Sequence, residues 1–251
     1  PTHPTAMKKR KRIGLIAMSG IRAQNKELVE LGLTLPGFIE RSKVIASLPS
    51  LSLLTLAGMT PDSFDVEYHE IQEFTEKGAL PEGFDLVAIT SLSAQIFEAY
   101  KVAAHFRKLG VPVVMGGLHV TATPEEAKLH CDSIVIGEGE NVWPLLLDDF
   151  SRGNLKPVYQ ARDHGEFDLA KAPMPRFDLL DPEKYNRITV QTSRGCPHKC
   201  DFCASSILLT PRYKLKPVEK VIAEIRAIKA IWPHPFIEFA DDNSFVHKEH
   251  Y

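Results

Sequence analysis

The sequence predicts an α/β protein: a doubly wound parallel sheet of Rossmann or flavodoxin type, followed by the beginning of a second α/β unit. Two observations predict the sheet, namely short apolar runs bounded by turn residues and amphipathic helical patterns between them. A third observation predicts the second unit, because residues 187–245 follow a strand–loop–helix–strand order. Since ligands of such sheets bind where the strands end, we expect functional residues at the carboxyl ends of the strands.

Five apolar runs in the first unit are typical of buried parallel strands, because each is short and flanked by turn residues. The predicted strands cover residues 12–18, 64–71, 85–90, 111–117 and 133–139.

Helical patterns separate most of these runs. The clearest has Ile96 and Tyr100 at helical spacing and ends at Gly110, a typical C-terminal stop. In another, Thr123 is a candidate N-cap and Pro124 occupies the first helical position. The predicted helices cover residues 48–58, 94–110, 123–130 and 140–153.

Residues 154–186 contain several prolines and little periodicity, which indicates a linker with one short strand near Val158. A strand over 187–193, an amphipathic helix over 217–232 and a strand over 235–245 follow. The predicted organisation is a basic tail (1–11), a first domain (12–153), the linker (154–186) and a second unit (187–251).

The composition is that of an ordinary globular chain of 251 residues, with a formal net charge of −2. No nucleic-acid partner is expected from this charge, and the basic run at 8–12 favours a solvated tail over a nucleic-acid or membrane patch. No apolar run reaches the about 20 residues of a transmembrane helix, and no secretory signal is evident. The four cysteines do not form a disulfide framework, so a reducing cytoplasm is expected.

Three of the four cysteines lie within one short segment, Cys196, Cys200 and Cys203. Thiolates are soft ligands that suit zinc, copper(I) and iron–sulfur clusters, and Gly195 and Pro197 favour an irregular loop that lets them converge. A structural zinc site needs four ligands. A four-iron cluster held by three cysteines instead leaves one iron open to a substrate or cofactor.

Other interpretations of these cysteines remain open. His198 could complete a zinc site, although its position between the first two cysteines would be cramped. Cys200 and Cys203 alone could form a redox pair, but this would not explain Cys196. Cys131 is expected to be a small buried residue without a metal role. An alternative function from another class is a zinc-binding interaction module with a flavodoxin-like domain.

The C-x-x-x-C-x-x-C pattern in RGCPHKCDFC, directly after a strand, resembles the radical S-adenosylmethionine enzymes, whose first strand of a partial TIM barrel leads into such a loop. The resemblance implies a [4Fe-4S] cluster on Cys196, Cys200 and Cys203, with S-adenosylmethionine chelated by the open iron. It also implies an electron donor such as flavodoxin or ferredoxin. One electron then cleaves S-adenosylmethionine to a 5′-deoxyadenosyl radical that abstracts hydrogen from a substrate.

The same resemblance assigns two further contacts with S-adenosylmethionine. Phe202 would contact the adenine through its backbone. Asp241 and Asp242, followed by Asn243, would receive the methionine amino group, and a carboxylate there would pair with an ammonium. A solvated turn or a helix cap remains the alternative for the two aspartates.

The segment GGLHVTATPEEAKLHCDSIVIGEGE (116–140) resembles the cobalamin-binding-like domain that precedes the radical barrel in one subgroup of these enzymes. The D-x-H-x-x-G motif that supplies a cobalt ligand in methyltransferase-type domains is missing. Cobalamin could bind without a protein lower ligand, or the domain could have kept only the fold. Ordinary tight turns remain the alternative for the glycines. The candidate cobalamin contacts at strand ends are Ser91, Gly116, Gly117, Gly137, Glu138 and Gly139.

Together these features predict a cobalamin-linked radical S-adenosylmethionine enzyme. The expected reaction is methylation of an unactivated carbon through methylcobalamin, or a radical cyclisation or rearrangement, on a small-molecule or lipid-like substrate. Residues 188–251 supply two strands of a barrel that needs six, so we expect the chain to be part of a longer protein and inactive alone.

Overall fold

The computed structural model describes most of the chain. Residues 1–9, most of the predicted basic tail, lie outside the described residues, as do residues 247–251. The structure describes residues 10–18, 48–72, 74, 80–185, 187–198, 200–203 and 212–246.

The first unit is a six-stranded parallel sheet with the order β2-β1-β3-β4-β5-β6. This order confirms the predicted doubly wound fold. The suggested strand near Val158 is β6, which pairs with β5 at the edge of the sheet. The strands are β1 (Lys11–Met18), β2 (Phe64–Ile71), β3 (Leu86–Thr90), β4 (Val113–Gly116), β5 (Ser133–Ile136) and β6 (Val158–Gln160).

Helices cover both faces of this sheet. The helix α3 is absent from the sequence prediction, and α4 ends at Ala127 rather than at residue 130. The helix α5 begins at Trp143 rather than at residue 140, because the preceding residues form a 3₁₀ turn. Pro144 is tolerated in its first turn. The helices are α1 (Leu51–Met59), α2 (Ile96–Lys108), α3 (Leu118–Ala122), α4 (Pro124–Ala127) and α5 (Trp143–Ser151).

The strand side chains alternate between two apolar layers, as expected for a sheet buried on both faces. Val87 and Ile89 of β3 pack in the layer formed with α2. Leu86 and Ala88 point the other way, into the layer formed with α1 and α5.

The second unit begins with a parallel pair of strands, β7 (Ile188–Val190) and β10 (Ile237–Phe239). The helix α6 (Val218–Ile231) connects them. The predicted strand 187–193 is divided in two, because β8 (Ser193–Arg194) leaves β7 and pairs antiparallel with β9 (Lys214–Leu215). The predicted strand 235–245 ends at Phe239.

The two units pack against each other through α1. Leu54 of α1 lies in the same apolar cluster as Val190 of β7 and Ile228 of α6. The hydroxyl of Tyr185 donates to Oε1 of Glu70 at 2.9 Å, which ties the start of the second unit to β2. Within the part of the chain that the structure describes, no helix combines the length and the apolar character needed to cross a membrane.

Candidate functional site

The three neighbouring cysteines lie on the described residues 195–198 and 200–203, which follow β8 directly and are called the cysteine loop below. Gly195 opens it with a φ of 84°, a left-handed conformation that favours glycine. None of the three is in a disulfide bond: Cys196 and Cys203 are partly buried, and Cys200 is exposed. The amide of Cys203 donates to the carbonyl of Cys200 at 2.9 Å, so the last two cysteines share a tight turn.

The acidic residue after β10 anchors the chain just before this loop. Asp241 accepts hydrogen bonds from the amides of Thr192 and Ser193, at 2.8 and 2.9 Å. The hydroxyls of Thr192 and Ser244 also donate to it, at 2.5 and 3.1 Å. Burial opposes ionisation of Asp241, but these hydrogen bonds outweigh it and hold the pKa of its carboxyl below the usual value.

The next two residues contact the cysteine loop itself. The amide of Gly195 donates to Oδ2 of Asp242 at 2.7 Å. The side-chain amide of Asn243 donates to Sγ of Cys196 at 3.7 Å. The stretch 241–243 therefore fixes the entry to the loop. A role of Asp241 and Asp242 toward a methionine ammonium stays a prediction. Asp241 already accepts four hydrogen bonds, as many as one carboxylate has lone pairs.

A charge cluster joins the cysteine loop to the first unit. Arg194 donates to Glu138 at 3.0 Å and to Glu140 at 2.7 Å. Lys214, its cross-strand partner, donates to both carboxylate oxygens of Glu138, at 3.1 and 2.8 Å. These four side chains are between 8% and 18% exposed, so solvent screens their interactions weakly.

The pKa values of this cluster follow its geometry. Burial alone would lower the pKa of Arg194, but the charges of Glu140 and Glu138 outweigh it and raise that pKa. Burial alone would raise the pKa of Glu138, but hydrogen bonds from Lys214 and Arg194 hold it below the usual value. Arg194 and Glu138 are therefore charged near neutral pH.

The carboxyl ends of β3, β4 and β5 lie side by side at one edge of the sheet, and the predicted cobalamin contacts follow them. Ser91 is buried, and its hydroxyl donates to the carbonyl of Leu92 at 2.9 Å. Gly117 and Gly137 have φ values of 102° and 89°. The amide of Gly137 donates to the hydroxyl of Thr121 at 3.0 Å, and Gly116 and Gly139 flank these turns.

This edge fits a large, partly apolar ligand. Leu92 and Phe97 are 62% and 72% exposed beside it. His119, which follows the glycine turn after β4, contacts Ser93 through Nδ1 at 3.0 Å. Among the described residues, Nε2 of His119 is buried without a hydrogen-bond partner. The sequence analysis missed His119, although its place two residues after Gly117 was available as a signal.

The chemistry of the cysteine loop fits an iron–sulfur cluster. Three thiols on one loop form a soft donor set, and an amide donor to sulfur such as Asn243 is a feature that tunes such clusters. Within the described ranges, no three His, Cys, Asp or Glu side chains lie close enough together to bind one metal ion. Phe202, between Cys200 and Cys203, is 92% exposed.

A cavity of about 140 Å³ lies between α1 and the carboxyl ends of β7 and β10. Gln191, Arg194 and Lys216 contribute its polar wall, and Leu51 and Leu169 contribute part of its apolar wall. The space next to the cysteine loop is therefore bounded by both units.

Residues 42–147 match the family model of the B12 binding domain. Among curated proteins, the chain is 30% identical to bacteriochlorophyllide d C-8(2)-methyltransferase of Chlorobaculum tepidum, over 79% of this chain and 47% of the relative. It is 26% identical to hopanoid C-2 methylase of Rhodopseudomonas palustris, over 80% of this chain and 38% of the relative. The chain thus spans about half, or less, of the length of these relatives.

Among solved structures, the chain shares its fold with the radical S-adenosylmethionine methyltransferase TsrM from Kitasatospora setae, with cobalamin and a [4Fe-4S] cluster bound. The TM-score is 0.63 at 15% identity, over 94% of this chain and 48% of TsrM. The cobalamin-dependent radical enzyme OxsB, with aqua-cobalamin bound, matches with a TM-score of 0.61 at 19% identity, over 94% of this chain and 34% of OxsB. The family resemblance stated from the sequence is confirmed.

Proposed function

We propose that this chain, a member of the cobalamin-binding-domain-containing radical S-adenosylmethionine enzymes, provides the cofactor-binding part of such an enzyme. In this proposal Cys196, Cys200 and Cys203 hold a [4Fe-4S] cluster. One observation carries the proposal: three cysteines lie on a short loop that follows β7 and β8 of the second unit, and Arg194 at the start of this loop is hydrogen-bonded to the unit that matches a B12 binding domain. When bound, the cluster supplies the electron that cleaves S-adenosylmethionine to a 5′-deoxyadenosyl radical.

The residues of the chain then have distinct tasks. Asp241 holds the turn before the loop, and Asp242 fixes the amide of Gly195. Asn243 donates to the sulfur of Cys196, which would tune the reduction potential of the cluster. Phe202 is exposed on the loop, where its backbone could meet the adenine of S-adenosylmethionine. The predicted division into residues 12–153, 154–186 and 187–251 is part of this proposal.

Cobalamin would lie at the carboxyl ends of β3, β4 and β5, where parallel sheets bind their ligands. The match to a B12 binding domain supports this placement, as do the open turns after these strands and the exposed Leu92 and Phe97. The proposed contacts are Ser91, Gly116, Gly117, Gly137 and Gly139, together with the backbone of Glu138.

Methyl transfer to a carbon atom is the reaction that the relatives favour, since several are named as methyltransferases or methylases. Radical cyclisation is the second candidate, because the chain is also 27% identical to anaerobic magnesium-protoporphyrin IX monomethyl ester cyclase of Synechocystis, over 47% of this chain and 27% of the relative. We propose a small-molecule or lipid-like substrate, and flavodoxin or ferredoxin as electron donor. We also propose a cytoplasmic location, since the spacing of the four cysteines is not that of a disulfide framework.

The test is anaerobic reconstitution of the chain with iron and sulfide, followed by metal and sulfide analysis. We expect about four irons and four sulfides per chain, and loss of both when Cys196, Cys200 or Cys203 is changed to Ala. Cys131→Ala is the matched control, because this thiol is buried and burial raises its pKa to about 11. One tightly bound zinc and no sulfide would support the interaction module instead.

A further inference from the structure

We infer that the side chain of Glu138 positions the cysteine loop, acting through Arg194 and Lys214, and does not contact cobalamin. The iron readout of its test rests on the iron–sulfur function proposed above. The inference concerns one carboxylate of the B12-binding domain and the two ends of the loop that carries the three cysteines.

Glu138 accepts hydrogen bonds from residues on both sides of the segment that carries the three cysteines. Arg194 immediately precedes Gly195, and Lys214 is the first residue of the strand that follows the loop. They are direct cross-strand partners in the β8–β9 pair. One oxygen of Glu138 accepts from Arg194 at 3.0 Å and from Lys214 at 3.1 Å, and the other accepts from Lys214 at 2.8 Å.

This contact offsets a repulsion that the β8–β9 pair contains by itself. Like charges placed directly opposite each other destabilise an antiparallel pair, and a two-residue ladder has few backbone hydrogen bonds with which to resist. Arg194 has a second carboxylate, Glu140, at 2.7 Å. Besides Glu138, Lys214 donates to the carbonyl of Phe167 at 3.0 Å. Glu138 is thus the carboxylate that the two cations share.

The side chain of Glu138 is turned toward the second unit. It is 10% exposed, and its second oxygen lies 3.4 Å from the amide of Phe167, which also donates to it. The position in the Gly137-Glu138-Gly139 turn suggests a cofactor contact by sequence alone, but the carboxylate faces Arg194, Lys214 and the amide of Phe167. Backbone atoms of this turn, and not the carboxylate of Glu138, would then contact cobalamin.

The experiment compares Glu138→Gln with the matched control Glu140→Gln in the full chain. Glutamine keeps the shape and one acceptor but removes the charge shared by Arg194 and Lys214, whereas Glu140 contacts Arg194 and is not bonded to Lys214. After reconstitution, we expect Glu138→Gln to release iron to a chelator about tenfold faster than the wild type, and Glu140→Gln to change the rate about threefold at most.

A second substitution separates charge relief from simple loss of packing. Adding Lys214→Gln to Glu138→Gln removes the like-charge pair, so iron release should return to within about threefold of the wild-type rate. A merely structural contact would not be rescued by removing another of its partners. If Glu138→Gln alone does not fold, the double variant gives the same decision, because fast iron release from a folded double variant would overturn the inference.

Two more readouts distinguish the inference from the proposed function. The affinity for hydroxocobalamin should stay within about twofold in Glu138→Gln, while a tenfold loss without faster iron release would make Glu138 a cobalamin contact and overturn the inference. If the wild type takes up no iron and sulfide, the proposed function fails. Amide exchange of residues 193–203 in the iron-free chain then decides: faster exchange in Glu138→Gln supports the inference, and unchanged exchange overturns it.

Discussion

Arg194 and Glu138 meet across the two units of the chain: Nη1 of Arg194 donates to Oε1 of Glu138 at 3.0 Å, although 56 residues separate them. Nη2 of the same guanidinium donates to Glu140 at 2.7 Å, so one planar fork serves two carboxylates. This contact places the residue before Gly195 against the turn after β5. The geometry of the cysteine loop therefore depends on the B12-binding domain.

Arg194→Lys should destabilise the chain, because an ammonium cannot reproduce the fork that serves Glu138 and Glu140 together. We expect a loss of about 2 kcal/mol in the free energy of unfolding, measured by urea titration. The matched control is Arg176→Lys, whose partner Asp178 is 57% exposed, and it should cost at most about 1 kcal/mol. Equal losses in the two variants would mean that the buried fork is not special.

Gly117→Ala should destabilise the first unit by about 1–3 kcal/mol, since φ is 102° there and an added Cβ would lie 2.9 Å from the hydroxyl of Thr90. Gly116→Ala is the control, because its added Cβ would make an ordinary contact with Val135 at 3.6 Å. The measurements are the free energy of unfolding and the binding of hydroxocobalamin. Gly116→Ala serves as the control for unfolding only, because Gly116 is itself a proposed cobalamin contact. Unchanged unfolding of Gly117→Ala would contradict the strain argument.

Asp241→Asn tests the anchor before the cysteine loop through the pH dependence of stability. The pKa of Asp241 in the folded chain lies below the ordinary value of 3.8, so the ionised group stabilises the fold above that pH. This stabilisation disappears as the pH falls through the folded-state pKa. We expect Asp241→Asn to cost about 1–2 kcal/mol at pH 7, and the difference from the wild type to shrink below pH 3.8.

The matched control for this series is Asp163→Asn, because Asp163 is 68% exposed and lies 3.9 Å from Arg162. It should change the free energy of unfolding by about 0.5 kcal/mol or less at pH 7. A constant difference between the wild type and Asp241→Asn down to the lowest pH would show that ionisation of Asp241 is not what holds Thr192 and Ser193.

Lys216 and Glu224 form a buried ion pair at 2.7 Å, with side chains that are 4% and 2% exposed. Burial raises the pKa of Glu224, and the charge of Lys216 compensates only in part. Glu224→Leu leaves the ammonium of Lys216 buried without its carboxylate and should cost about 3–5 kcal/mol in urea titration. The double variant Lys216→Met with Glu224→Leu should be more stable than Glu224→Leu alone, and the reverse order would contradict this account.

The fold could be predicted because its signal is local. The apolar run 85–90 and the helical spacing of Ile96 and Tyr100 identify β3 and α2 without any knowledge of their partners. The break between β7 and β8 could not be predicted. It depends on Asp241, which lies 49 residues from Thr192 in the chain and accepts hydrogen bonds from the amide and the hydroxyl of Thr192.

The candidate site divides in the same way. The cysteines are readable because cluster ligands recur at fixed spacing on one loop. Glu138 carries no such signal, since its partners Arg194 and Lys214 are 56 and 76 residues away. A glutamate between two glycines at a strand end suggests a ligand contact, and only the packing of the two units shows which cations it faces.

The central claim, that three cysteines leave one iron open for S-adenosylmethionine, is tested most directly by electron paramagnetic resonance of the reconstituted, reduced chain. Addition of S-adenosylmethionine should change the g-values of the cluster signal, because the amino and carboxylate groups would bind the iron that lacks a cysteine. S-adenosylhomocysteine serves as the control for nonspecific effects of the nucleoside. A cluster signal that is the same with and without S-adenosylmethionine, or no cluster signal at all, would contradict the account.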